Sequence, residues 1–423
     1  MRLFQCSGFG LQFSRFGFLF SAFSFLVSTP SRAQDALRQS LTGQTVSAER
    51  QRDLKEKPYT VRWGDFQLLA GASLAGEWND NVNLSHTDPK EDFIITPMVN
   101  LDALWPITEL NSLTFSLGVG YATYIEHSQY DYAVITPGSQ LAWDIYVKDF
   151  HINFHDWFYY QEDPTIYGGV SGTARFGGFY NTAGVLTTWD LRDVVLSLGY
   201  DHFNFIASSS TYDYLTRASD FFVARASFHV HPSATVGLEA SGGPTAYDQP
   251  ILSPNLTYSF GAFGDWKATE HIRLQPRAGY YQYFFSNEGL VGADTEESGY
   301  YLSLKLIHDL KWNVDYSLEG GHESFLGNQS SLTVQWYAAL WVNWRMIKNI
   351  SLSTGLRYEN ATQPVGQLAD NYERVFASLR LSCPIKPKLT ASLEYRYWLR
   401  DSAVTVDNNY EQNRVALQLA YHF

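Results

Sequence analysis

Charged side chains alternate with apolar ones along several stretches of the chain, and this pattern suggests the first possible chemistry. Between residues 387 and 400, Glu394, Arg396 and Arg400 are separated by two tyrosines, one tryptophan and one leucine. Successive side chains of an extended strand point to opposite faces, so these charges share one face. Carboxylate and guanidinium groups on one face pair with each other or set up an electric field that acts on a passing solute.

The same alternation assigns charged residues to the polar faces of other strands. The candidate pore-lining residues are Arg273, Arg277, Asp315, Glu319, Arg357, Arg380, Glu394 and Arg396. Two interpretations stay open. The charges form a ladder of ion pairs that stiffens a wall, or they create a transverse field that orients polar solutes at a constriction. Both require a hydrated interior.

Three aromatic residues share these polar faces, namely Trp157, Tyr159 and Trp398. An aromatic ring with a polar edge suits stacking on a sugar ring, so they are candidate sugar-stacking residues, and ordinary aromatics of a rim are the alternative. His151 and His155 lie on one of these strands about 13 Å apart, which is too far to share one metal ion. We predict no metal site and no cofactor.

Motifs of catalysis are absent from the sequence. Gly71-Ala-Ser-Leu-Ala-Gly76 has the wrong spacing for a nucleophile elbow, and His322-Glu323 is not followed by the second histidine of a zinc protease. We therefore predict no catalytic residues and no enzyme activity.

Composition and charge favour a membrane barrel. The 423 residues carry a formal charge of −13, which argues against binding nucleic acid through a basic face. Aromatic residues make up 16% and charged residues 17%, a mixture that suits aromatics at lipid interfaces and charges in a lumen and loops. No apolar run after the N-terminal segment is long enough for a helical membrane span.

The chain divides into three parts. Residues 1–33 contain early arginines, an apolar run and Ser31-Arg32-Ala33, as in a cleaved signal peptide. Its removal takes away Cys6 and leaves only Cys383, which excludes an intramolecular disulfide. Residues 34–62 are polar and form a periplasmic N-terminal segment, either flexible or a short helix that docks on a partner or plugs the pore. Residues 63–423 form an outer-membrane β-barrel.

Period-two alternation predicts an all-β, antiparallel, up-and-down transmembrane barrel of about eighteen strands, with sixteen as the alternative count. Every second connection is short, and Trp105, Trp143, Trp189, Trp266, Trp312 and Trp344 lie near these turns. Such tryptophans are typical of the aromatic girdle at one membrane interface. Short periplasmic turns and longer external loops place both termini in the periplasm.

The last strand ends in alternating apolar residues and a terminal aromatic. Leu417, Leu419, Tyr421 and Phe423 share one face and form the predicted assembly signal of a bacterial outer-membrane protein. The expected partners are outer-membrane lipids, lipopolysaccharide and the barrel-assembly machinery. No nucleic-acid partner is expected, and homo-oligomerisation is left open.

Two segments at the start of the barrel add a resemblance. Glu77-Trp-Asn-Asp-Asn-Val82 ends the first strand and Glu91-Asp-Phe-Ile-Ile-Thr-Pro97 opens the second. This pairing resembles the beta-barrel porin type 2 family of bacterial outer-membrane β-barrels. The resemblance implies a conduit, and it supplies no catalytic residues. Some members of that family are components of exopolysaccharide secretion.

Three functional hypotheses follow. The first is a porin-like channel that passes polar solutes through a water-filled lumen of mixed charge, with the glycine-rich loop 163–174 folded inward. The second is the outer-membrane exit port of an exopolysaccharide secretion system, partnered with polysaccharide-export components through residues 34–62. The third is a rim enzyme or a purely structural barrel.

Overall fold

The computed structural model describes residues 59–286, 296–310, 313–328, 332–346, 349–363 and 370–423. The predicted signal peptide, most of the predicted N-terminal segment and Trp312 lie outside these ranges. Within them, no helix is long and apolar enough to cross a membrane.

In the described ranges, twenty β-strands make up one sheet. They are β1 Val61–Trp63, β2 Phe66–Asn79, β3 Asp92–Thr108, β4 Asn111–Tyr124, β5 Tyr132–Ile135, β6 Gln140–Val147, β7 Phe150–Gln161, β8 Gly178–Asp190, β9 Val194–Ala207, β10 Arg217–His231, β11 Ala234–Tyr247, β12 Asn255–Lys267, β13 Ile272–Phe285, β14 Glu296–Leu310, β15 Val314–Leu326, β16 Leu332–Arg345, β17 Ser351–Thr362, β18 Asn371–Lys386, β19 Leu389–Ser402 and β20 Tyr410–His422.

The sheet closes on itself. Each barrel strand pairs antiparallel with its sequence neighbours, and β2 pairs with β20 from Gly71 opposite His422 to Asn79 opposite Arg414. β5 and β6 together occupy one position between β4 and β7, because the segment around Pro137 interrupts a single strand. Not counting the short β1, the described residues form a closed, antiparallel, up-and-down barrel of eighteen strands, as predicted.

The two faces of the barrel differ in chemistry. On β20, Val415, Leu417 and Leu419 are exposed, whereas Gln412 and Arg414, which precede them on the opposite face, are buried. The exposed apolar face is the outer wall, as expected for a barrel embedded in lipid, and the polar face lines the interior. Among the described tryptophans of the predicted girdle, all five are exposed close to the short turns: Trp105, Trp143, Trp189, Trp266 and Trp344.

The first described residues extend the barrel at the short-turn end. Val61 and Arg62 pair with Leu68 and Gln67 of β2, and the Thr60 hydroxyl donates to the carbonyl of Phe423 over 3.0 Å. The predicted boundary between the N-terminal segment and the barrel, at residue 62, therefore falls within β1. This strand lies at the end of the barrel where β2 pairs with β20.

Candidate functional site

The connection between β7 and β8 crosses the interior of the barrel. It starts from Glu162, and the amide of Phe176 donates back to the Glu162 carbonyl over 3.1 Å, so the two ends of the loop meet. Its residues contact strands β18, β19 and β20. Around the barrel wall, strands β2 to β6 separate these three strands from β7. We call residues 163–175 the crossing loop. It includes the predicted inward-folding segment 163–174, and the structure places that segment in the lumen.

Asp163 begins the crossing loop and fixes it to β20. Its carboxylate caps the short 3-10 turn Pro164–Ile166 and accepts from Arg414, with a distance of 2.7 Å to Nη1. Burial alone would raise the pKa of the Asp163 carboxyl, but Arg414 and the Thr165 hydroxyl lower it well below its usual value. The carboxyl is therefore ionised at ordinary pH, and the anchor is an ion pair.

Two further arginines hold the backbone of the crossing loop. Arg374 of β18 donates to the carbonyl of Thr165 over 3.0 Å, and Arg400 of β19 donates to the carbonyl of Gly168 over 2.9 Å. Gly168 allows this close approach, since a Cβ there would lie 2.6 Å from the Tyr372 hydroxyl oxygen. Three guanidinium groups from three adjacent strands thus fix one loop.

Arg400 is itself held by a buried ion pair. Its Nη2 lies 2.7 Å from the Asp370 carboxylate, and the two side chains are 0% and 1% exposed. A buried charge without its partner is strongly unfavourable, so this pair stabilises the long-loop end of the barrel only as long as both members are present.

Replacing Asp370 with alanine is expected to destabilise the barrel by about 3–5 kcal/mol, because Arg400 then stays buried without a carboxylate. Asp315→Ala is the matched control, since its partner Arg345 is 66% exposed and the pair spans 3.6 Å. That loss is expected to be below about 1 kcal/mol. The temperature at which the compact, fast-migrating barrel converts to the unfolded form on a gel measures the stability of both variants. Equal transition temperatures for the two variants would contradict a stabilising role of the Asp370–Arg400 pair.

The loop between β2 and β3 also turns inward. Leu84 is fully buried and packs with Phe376, Trp398 and Tyr410 on the inner face. Asn81 holds this loop through its side-chain amide, which donates to the carbonyls of Ser85 and Glu411. The Asp-Asn-Val segment thus has a structural role, and the Leu84 carbonyl accepts from the amide of Gly172 in the crossing loop.

An aromatic cluster fills one side of the lumen behind the crossing loop. Tyr167 and Phe176 belong to one cluster with residues from β8 to β10 and β13 to β16, namely Tyr180, Phe203, Phe205, Phe221, Tyr281, Tyr283, Phe285, Tyr301, Leu326 and Leu332. A cavity remains between this cluster, the loop and the wall at Gln335, Glu359 and Tyr372. The half of the lumen near the long loops is therefore narrow.

The half of the lumen near the short turns is more open. Near the short turns, the side chain of Arg273 is 44% exposed, while near the long loops Gln412 and Arg400 are at most 1% exposed. Inner-face residues thus become progressively more accessible toward the short turns. We call this open region the vestibule.

The predicted pore-lining residues lie on the inner face, and the structure gives each a polar partner. Arg273 pairs with Asp265, Arg277 with Glu239, Asp315 with Arg345, Arg357 with Glu359, Arg380 with Glu394, and Arg396 with Glu77, while Glu319 accepts from the Tyr337 hydroxyl. Ion pairs between strands therefore cover much of the wall. These residues line the vestibule and the region between the vestibule and the crossing loop.

The predicted sugar-stacking residues are less accessible. Trp398 is 3% exposed, with Phe376 at a ring distance of 4.2 Å and the Arg374 guanidinium 4.9 Å from its centre. Tyr159 stacks on Tyr180 at 4.3 Å. Trp157 stacks on His155 at 4.6 Å and is half-buried. In this arrangement Trp398 presents no free ring face to a sugar.

His151 and His155 belong to one buried polar network. The Asn153 amide links them, since it donates to Asp144, which also contacts His151, while its oxygen faces Nδ1 of His155. Nε2 of His155 lies 2.7 Å from Asp201. Both nitrogens of His155 are therefore engaged by side chains of the wall.

The inner walls differ in charge. The described strands β2 to β9 contain no lysine or arginine, and their inward carboxylates include Asp102, Asp144 and Asp201. Arginines occur on β10, β13 and β16 to β20, where they lie among carboxylates. All positive side chains of the described barrel strands thus lie on β10 to β20, and β2 to β9 form a stretch of wall without them.

Sequence reasoning did not identify Arg374, Arg400 and Arg414 as anchors. The alternation shows that they point inward, but the contacts that they make join residues more than two hundred positions apart. A signal was available in the acidic Asp163 next to a glycine-rich loop, although it does not show which arginines would meet it.

Comparisons with known proteins give likenesses of fold alone. No protein-family model and no curated protein matches the chain. Solved structures that resemble it include Pseudomonas aeruginosa OccK5 (OpdH), with 10% identity over 84% of this chain and 98% of that one and a TM-score of 0.48. OprD of the same organism has 12% identity, covers 84% and 95%, and scores 0.47. Acinetobacter baumannii OccAB3 has 11% identity, covers 84% and 99%, and scores 0.48.

Proposed function

We propose that the protein is a porin-like channel of the bacterial outer membrane that passes small polar solutes. The observation that carries the proposal is the crossing loop, fixed by three arginines inside a closed barrel. An eighteen-strand barrel encloses more space than its wall side chains fill, and a loop anchored across that space sets the size of the passage. Both termini then lie on the periplasmic side with the short turns.

The uneven charge of the wall supports selection by orientation. A polar solute that enters from the vestibule passes between the acidic side chains of β3 to β9 and the arginines of β10 to β20. Opposite charges on facing walls align a solute dipole across the passage. The ion pairs of the arginine-bearing wall weaken this field, so we propose a mild preference among polar solutes.

Liposome swelling tests the passage of solutes. Proteoliposomes that contain the refolded chain are expected to swell in small polar solutes of graded size, with rates that fall steeply as the solute grows. Protein-free liposomes and liposomes with heat-unfolded protein are the controls. Swelling no faster than in protein-free liposomes would contradict the proposal.

The increase of exposure toward the short turns favours a second candidate, the exit port of a polysaccharide export system. A wide vestibule on the periplasmic side and a narrow outer half suit a conduit that a partner opens. In that case the isolated barrel is silent in a bilayer and conducts only when the crossing loop is shortened. Conductance of the unmodified protein distinguishes the two candidates.

A further inference from the structure

Trp341 is an accessible aromatic side chain on the inner wall of the vestibule. On β16 it shares a face with the buried residues Tyr337 and Ala339, whereas Trp344 faces outward. It lies four residues from the end of β16 near the short turns. Its exposed fraction is 36%, compared with 3% for the inward-facing Trp398.

Gly355 provides the seat for the Trp341 ring. The two residues are direct cross-strand partners on β16 and β17. A Cβ built on Gly355 would lie 2.1 Å from Cζ3 and 2.5 Å from Cε3 of Trp341, so the indole covers the place of a side chain at 355. The Cε3–Cζ3 edge of the ring therefore lies against the wall at Gly355, and 36% of the residue stays exposed toward the lumen.

Polar side chains surround this ring on the inner face. Ser317 is its cross-strand partner on β15, and Asn343 and Ser353 form the next inward pair toward the short turns. On the other side, Arg357 pairs with Glu359 at 2.6 Å, so the nearby charges are largely compensated. The site is a flat apolar surface bordered by hydroxyl and amide groups.

This combination matches one face and the edge of a sugar ring. The C–H groups of a hexose present an apolar face that stacks on an aromatic ring, while its hydroxyls point outward to hydrogen-bonding groups. Compensated charges around the platform favour an uncharged sugar over an anionic one.

We propose that Trp341, seated on Gly355, is a stacking platform for a hexose ring of an uncharged oligosaccharide in the vestibule. The inference rests on the proposed function as a conduit, and it names the class of solute. It moves the sugar contact from the enclosed Trp398 to an open tryptophan nearer the periplasmic entrance.

Titration calorimetry of the refolded protein with maltohexaose, a neutral linear glucose oligosaccharide, tests the proposal. Trp341→Ala is expected to weaken binding about tenfold, equivalent to about 1.4 kcal/mol. Trp341→Phe keeps an aromatic platform and is expected to bind within about threefold of the unchanged protein. Gly355→Val leaves Trp341 in the sequence but displaces its ring, so it is expected to weaken binding as the alanine variant does.

Trp336→Ala is the control, because that tryptophan lies on the outer face of the same strand and is 49% exposed. Folding of each variant is checked by its migration on an unheated gel. No binding by the unchanged protein, or equal binding by folded Trp341→Ala, would overturn the platform.

Conductance of the same samples separates this inference from the proposed function. A conducting barrel that binds no maltohexaose overturns the platform and leaves the channel intact. A silent barrel that binds it through Trp341 supports the platform and contradicts the channel.

Discussion

Replacing the crossing loop, residues 163–175, by a short Asn-Gly turn is expected to raise single-channel conductance several-fold. The loop is held across the lumen by Arg374, Arg400 and Arg414 and carries Tyr167 into the aromatic cluster. Without it, ions pass through a wider section of the barrel. The ends of the loop already meet at the hydrogen bond between Phe176 and Glu162, so a tight turn is able to join them.

Planar-bilayer recording of the refolded variant measures this effect. A matched control shortens residues 86–89, the exposed tip of the external loop between β2 and β3, and should leave conductance close to that of the unchanged protein. Both variants must migrate as compact barrels on an unheated gel. If folded protein without the crossing loop conducts no better than the control, the loop does not limit the passage.

Leu417→Glu is expected to reduce the yield of folded barrel strongly, whereas Gln418→Glu is expected to leave it unchanged. Leu417 lies near the middle of β20, 55% exposed on the outer wall, where lipid replaces water. The change gives up about 2 kcal/mol of apolar burial in lipid and adds the cost of a carboxylate there. The neighbouring Gln418 points into the lumen, where its side-chain oxygen accepts from Arg380 over 2.9 Å.

The two variants introduce the same residue at adjacent positions, so only the face differs. A glutamate at 418 meets the Arg380 guanidinium and gains an ion pair in water. Both variants are refolded into detergent or lipid. The compact and unfolded bands are then quantified on an unheated gel, and the two yields are compared. Similar yields for both would show that β20 does not present these faces to lipid and lumen.

The strands and their faces could be predicted because one physical rule repeats along the barrel. Alternation predicts strands at 387–400 and 409–423, and the observed β19 and β20 end within two residues of these bounds, since lipid on one side and water on the other leave few other solutions. Two errors lie at prolines. Alternation also predicts strands at 132–147 and 251–267, but the first is broken around Pro137 and the second starts at Asn255, after Pro254.

The contacts inside the lumen could not be predicted in the same way. The alternation shows that Arg414 and Trp341 point inward, but it does not show that Arg414 meets a loop or that Trp341 remains open. Those outcomes depend on which loops fold inward and on single small residues such as Gly168 and Gly355, whose missing side chains leave room for Tyr372 and Trp341. Trp398 is one of the three predicted sugar-stacking residues, yet Leu84 and Phe376 cover it.

The most direct test of the account is the single-channel conductance of the unmodified, refolded mature chain in a planar bilayer over a range of salt concentrations. The account predicts a steady conductance that increases with salt and is smaller than that of the variant without the crossing loop. A folded barrel that stays silent at every salt concentration would contradict a passive channel and favour an exit port that opens only with a partner.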